Sequence, residues 1–99
     1  MSDATWHAPL CIAVDHPSLP GHFPGDPLVP GVVLLEQVAL ALRAWRGERL
    51  ARVVEAKFVA PLRPDEQAEL HLVDTQGRIR FEIRRDGALL ARGVIVGAT

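Results

Sequence analysis

Pro20-Gly21-His22-Phe23-Pro24-Gly25-Asp26-Pro27-Leu28-Val29-Pro30-Gly31 runs directly into an apolar segment, Val32 to Trp45. Prolines stand at 17, 20, 24, 27 and 30, and glycines at 21, 25 and 31. Proline fixes φ and restricts the residue before it, so residues 15–31 read as a stiff loop. Such a loop can present one histidine, His22, without regular structure around it. The segment after it reads as a helix that starts at Pro30-Gly31-Val32, because proline suits a first turn. It ends at Gly47, which suits the position just past a helix. Val32, Val33, Leu34, Leu35, Val38, Ala39, Leu40, Ala41 and Leu42 leave it no polar face over three turns, so cover on all sides is expected. Within that apolar run stands one carboxylate, Glu36.

Outward from this centre the period changes. Residues 5–14 suit a first strand, with Leu10, Ile12 and Val14 on one face, and Pro9 favours an edge or a bulge there. In residues 51–60, Val54, Ala56, Phe58 and Ala60 face one way, opposite Arg52, Glu55 and Lys57. Pro61 and Pro64 break the chain. Residues 66–74 alternate again, with Ala68, Leu70 and Leu72 opposite Glu69 and His71. Residues 78–85 place Ile79, Phe81 and Ile83 inward. Asp86-Gly87 is a two-residue hairpin signal leading to a last strand over 88–96. The order is strand, loop, helix and four strands in an expected antiparallel meander, an α+β class. One apolar sheet face covers only one side of a helix, so a second copy is expected to complete its burial, most simply in a two-fold dimer.

The totals set limits. Ninety-nine residues make a single domain, 1–99, with 48% apolar and 23% charged residues and a net charge of −1. That balance argues against nucleic acid as a partner. Cations are almost all arginine, with Lys57 the exception; Arg43, Arg46, Arg49 and Arg52 fall together, as do Arg78, Arg80, Arg84 and Arg85. Such clusters hold phosphates or carboxylates, or simply form a solvated face. Cys11 is the one cysteine, which fits a reducing cytoplasm. The N-terminus does not read as a secretory signal, and the Val32–Leu42 stretch is too short to span a bilayer. A soluble cytoplasmic protein is expected. The histidines and the cysteine show no ligand spacing, so no metal is expected. His7, His16 and His71 read as surface residues.

His22 and Glu36 are the chemical candidates. A carboxylate stripped of water in an apolar helix holds its proton more tightly and suits a general acid. A histidine titrates near neutrality and suits a general base. The N–H groups near Gly31 and Val32 have no helical acceptor and, with the helix dipole, can polarise a carbonyl and stabilise an enolate. Base, acid and oxyanion donor together describe proton abstraction beside a carbonyl, with loss of a group from the next carbon.

The run Gly21 to Val32, followed by Leu34-Leu35-Glu36, closely resembles the active-site stretch of the 3-hydroxyacyl-[acyl-carrier-protein] dehydratases. These are hot-dog-fold proteins, in which an antiparallel sheet wraps one long helix. Lys57-Phe58-Val59-Ala60-Pro61-Leu62-Arg63-Pro64 also looks like that family's second helix-wrapping strand and the turn leaving it. The resemblance implies that His22 removes the C2 proton of a 3-hydroxyacyl thioester. Glu36 then helps the 3-hydroxyl leave as water, and the Gly31 N–H binds the thioester carbonyl. It implies a homodimer, or a heterodimer with another hot-dog subunit, whose sites draw the histidine and the acid from different subunits. It implies an acyl tunnel along the helix, with Phe23, Val33 and Phe58 as expected lining, substrate binding at the Gly31 and Val32 backbone, and no metal or organic cofactor. The substrate would arrive on the phosphopantetheine arm of an acyl carrier protein, which gives the arginine clusters a task. Fatty-acid members commonly carry a glutamine one turn after the acid, where this chain has Leu40. Its compactness looks like the small dehydratase-like proteins of aryl-polyene clusters, in fatty-acid, polyketide or aryl-polyene type synthesis. A hot-dog acyl thioesterase and a non-catalytic acyl-binding or assembly subunit are the alternatives.

Overall fold

The structure is a computed structural model, described here for residues 4–17 and 28–99. Its elements run β1 (Thr5–Leu10), α1 (Gly31–Arg46), β2 (Arg49–Phe58), β3 (Ala68–Thr75), β4 (Arg78–Arg85) and β5 (Ala88–Ala98). The strands form one antiparallel sheet in the order β1-β3-β4-β5-β2, with α1 packed on one face. This is the one-helix, one-sheet arrangement expected of a hot-dog fold.

α1 forms where the apolar run predicts it. Pro30 stands at its N-cap with φ −63° and ψ 149°. Gly47 closes it in the left-handed region, at φ 66°, with its N–H donating to the Arg43 carbonyl; this conformation costs glycine little. The last turn is tied down by Arg46, whose Nη1 lies 2.7 Å from Asp74 Oδ2 on β3. That guanidinium also lies 4.0 Å from the centre of the Trp45 ring.

The sheet side of the helix makes the core. Val33, Leu34, Val38, Ala41 and Leu42 are buried, together with Leu70, Leu72, Ile79, Phe81, Ile83 and Ile95 from the strands. Burying a side chain such as Leu42 or Phe81 contributes about 2–3 kcal/mol. Cover does not extend around α1, however. Within this chain Val32 is 62% and Leu40 64% exposed. The composition of the helix is apolar all round, but one sheet can reach only one side of it.

The strand pattern departs from the expected one in three places. β1 stops at Leu10, which pairs with Ala68, the first residue of β3, so there is no strand beyond it to pair with. Ile12 is nonetheless buried, while Val14 is 60% exposed. Pro9 lies on an edge strand, as its missing N–H requires. β2 starts at Arg49 and carries two register shifts, between Leu50 and Arg52 and between Val53 and Glu55. Its alternation is therefore irregular, and Phe58 is 47% exposed rather than enclosed.

The third departure is topological. β3, β4 and β5 form a meander, but β2 pairs with β5 at the far edge and not with β3. The chain from 59 to 67 must therefore cross from the β2 edge of the sheet to β3, which lies beside the opposite edge strand β1. It does so past the start of α1. The Val59 and Ala60 N–H groups both donate to the Leu90 carbonyl, Val29 N–H donates to the Leu62 carbonyl, and Asp65 N–H donates to the Ile12 carbonyl. Leu62, 1% exposed, is the buried anchor of the crossing.

The remaining strands follow their alternation. Ile79, Phe81 and Ile83 point into the core. Asp86 and Gly87 turn with φ 51° and 81°, the paired positive values of a tight hairpin. On the outer face His7 and His71 are cross-strand partners whose rings stack at 5.8 Å. His71 Nε2 lies 3.2 Å from Glu69 Oε2.

Candidate active site

The start of α1 is bare of polar caps. Pro30 makes no side-chain cap hydrogen bond, and the first turn holds no acidic residue. The Pro30 carbonyl accepts from the Val33 and Leu34 N–H groups at 3.0 and 3.3 Å. Among the described residues, the Gly31 and Val32 N–H groups find no acceptor. With respect to the described residues, two donors at the positive end of the helix dipole are thus open to an incoming oxygen.

Phe58, at the end of β2, stands against this end. A Cβ built on Gly31 would fall 2.8, 2.9 and 3.1 Å from Cζ, Cε2 and Cε1 of the Phe58 ring. Only glycine permits that approach. Val29, Gly31, Leu34, Phe58 and the segment 59–62 border a shallow apolar depression of about 220 Å³ here. The depression owes its shape to the crossing of residues 59–67.

Glu36 lies further along α1, on the uncovered face. It is exposed in the single chain, so the desolvation expected from its apolar neighbours is not provided within one copy. Val32, Glu36 and Leu40 succeed one another at four-residue spacing and therefore share a face. Glu36 opens onto a groove of about 500 Å³ bordered also by Ala39, Leu40, Arg43, Arg49 and Leu50. The groove is apolar along its wall, with one carboxylate and two guanidinium groups around it.

The expected site residues are distributed as follows. Gly31, Val32 and Glu36 share α1, and Phe58 is brought to Gly31 from β2. Val33 is fully enclosed between helix and sheet and borders neither depression. His22 and Phe23 lie outside the described residues. Arg43, Arg49 and Leu50 were not singled out for the Glu36 groove by sequence reasoning. Arg43 follows Glu36 by seven residues, which places it on the same helix face and makes it legible from the period. Arg49 and Leu50 reach the groove only because β2 turns back beside α1, which no local pattern states.

Comparison with known proteins adds to this geometry. A family model described as ApeI-like, ApeI dehydratase, matches residues 1–94. The 3-hydroxyacyl-[acyl-carrier-protein] dehydratase FabZ of Haemophilus influenzae is 38% identical over 71 aligned residues, covering 62% of this chain and 48% of that protein. The chain thus spans about half the length of that relative. FabZ of Dechloromonas aromatica is 29% identical over 109 aligned residues, covering 93% of this chain and 76% of its own. Among solved structures, the dehydratase heterocomplex ApeI:P from Xenorhabdus doucetiae superposes with a TM-score of 0.84 at 22% identity, covering 97% of this chain and 88% of that one. At that identity the likeness speaks for the hot-dog fold.

Proposed function

The chain belongs to the ApeI-like dehydratase family, and from that premise we propose that it removes water from 3-hydroxyacyl thioesters carried on an acyl carrier protein, giving trans-2-enoyl thioesters. The observation that carries this reading is the pairing of two N–H donors at Gly31 and Val32, without an acceptor among the described residues, with a carboxylate, Glu36, on the open face of the same helix. Glu36 follows Gly31 by five positions, about 7.5 Å along the axis. An acyl group whose carbonyl meets the donors can therefore extend toward the carboxylate.

In the proposed reaction His22 takes the C2 proton of the substrate. The electron pair left on C2 delocalises into the thioester carbonyl, whose oxygen is held by the Gly31 N–H. The pair then forms the C2–C3 double bond as the C3–O bond breaks. Glu36 gives its proton to the departing hydroxyl, which leaves as water. Passing the proton from His22 back to Glu36 through solvent restores both groups. No metal or organic cofactor enters this sequence.

The exposed Val32–Glu36–Leu40 face belongs, in this proposal, against a second hot-dog subunit. An apolar face of this kind is unfavourable in water, and covering it would also strip water from Glu36 and roof the adjoining groove. The site would then draw His22 from one subunit and Glu36 from the other. The partner is a second copy or a different hot-dog chain, and residues 1–99 act as one hot-dog domain. The Xenorhabdus neighbour is described as a heterocomplex, which keeps both arrangements in view. The leucine at position 40 favours an accessory role in polyene or polyketide synthesis.

The test is hydration of a 2-enoyl thioester, the reverse reaction, followed by loss of the conjugated enoyl absorbance. Hydration that disappears in Glu36→Gln and His22→Ala supports the assignment. Release of free thiol without hydration identifies a thioesterase instead, and tight carrier binding without turnover identifies a binding subunit.

A further inference from the structure

Most helices close their first turn with a side chain that accepts one of the loose N–H groups. α1 cannot, because Pro30 occupies the cap and the first turn carries no acidic residue. Among the described residues its first donors are left open, which a site needs, but an uncapped turn frays. Something other than a polar cap must hold it.

The ring of Phe58 is in place to do so. Its tip meets Gly31 at a distance that leaves no room for a Cβ. The ring is 47% exposed at the very end of β2, so it is not spent on filling the core. Its backbone is fixed on both sides of the contact. The N–H groups of Val59 and Ala60 hold the Leu90 carbonyl at 2.7 and 3.1 Å, and Val29 N–H, just ahead of the helix, holds the Leu62 carbonyl at 2.8 Å. Strand end and helix start are thereby bound into one unit, with the ring between them.

We infer that Phe58 is a positioning residue: its ring replaces the missing side-chain cap, packing the first turn of α1 so that the Gly31 and Val32 N–H groups stay aimed at the substrate carbonyl without being consumed. This rests on the proposed dehydratase reading for its catalytic consequence, but not for the clamp itself. The bareness of Gly31 then has two reasons. It admits the substrate oxygen on one side and the aromatic ring on another.

Amide hydrogen exchange on the assembled protein tests the clamp without reference to activity. In Phe58→Ala, the Val33 and Leu34 amides, which close the first turn on Pro30, exchange about tenfold faster than in the wild type, while β4 amides are unchanged. Phe58→Leu recovers most of the protection. Unchanged exchange at Val33 and Leu34 in Phe58→Ala overturns the inference. In enoyl hydration, Phe58→Ala lowers kcat about tenfold with KM little altered, as misaimed oxyanion donors should, and Phe58→Leu restores part of it. A raised KM with full kcat makes the ring a mere wall of the acyl site and also overturns the inference. A wild-type protein with no hydration activity sinks the dehydratase reading, and the exchange result still decides the clamp.

Discussion

Leu40 stands one helical turn beyond Glu36 on the same face of α1, and neither is covered by the sheet of its own chain. A carboxylate and a large aliphatic side chain share an unprotected stripe on a helix whose opposite side is fully packed. That relationship ties the proposed site to the proposed assembly, because a subunit that hides Leu40 would also enclose Glu36.

Leu40→Asp places a charge in that stripe. We expect the assembled protein to fall to single chains at micromolar concentration, read by light scattering after size exclusion, with the circular dichroism spectrum of the fold retained. Retention of the assembled mass would mean that this face is not the subunit contact. Hydration activity should vanish together with assembly.

Glu36→Gln keeps size and polarity but cannot give a proton. Enoyl hydration should fall by about 10²–10⁴-fold, the usual worth of a positioned acid or base. His22→Ala should cost a similar factor, and mixing the two inactive proteins supplies a sharper measurement. If each site takes its histidine and acid from different subunits, a mixed dimer regains one intact site. Activity should then return to a sizeable fraction of wild type.

Gly31→Ala separates function from stability. A helix accepts alanine readily, and the clashing atoms are the tip of the Phe58 ring rather than backbone. The ring can swing outward, so thermal unfolding should change by no more than about 1 kcal/mol. Hydration kcat should nonetheless drop. Combined with Phe58→Ala, which already empties the space, Gly31→Ala should add little further loss, so a double-mutant cycle will show strong coupling. Additive losses would show that the two residues act independently.

Gly93→Ala addresses the sheet. A Cβ at Gly93 would run into the Glu55 carbonyl oxygen and the buried ring of Phe81. Neither can move freely, since one is backbone in β2 and the other is 1% exposed. Destabilisation of about 1–3 kcal/mol is expected from such overpacking, read by chemical denaturation. A neutral result would mean that the β2 bulges shift easily.

The sequence alone determined what local chemistry can state. Pro30 and Gly47 bound α1, because each has a backbone preference that holds in any context. The alternation of Ile79, Phe81 and Ile83 predicted β4, and Asp86-Gly87 its hairpin. Gly21 to Glu36 carries the resemblance that the family match bears out. Tertiary structure decided the rest. A helix apolar on every side does not say which side its sheet will take, so only packing revealed that Val33 goes inward while Val32, Glu36 and Leu40 stay open. Strand neighbours far apart in sequence are chosen by long-range pairing, so β2 pairs with β5 despite preceding β3. That choice sends residues 59–67 across the helix start and brings Phe58 onto Gly31, a contact that no period or propensity in either segment encodes.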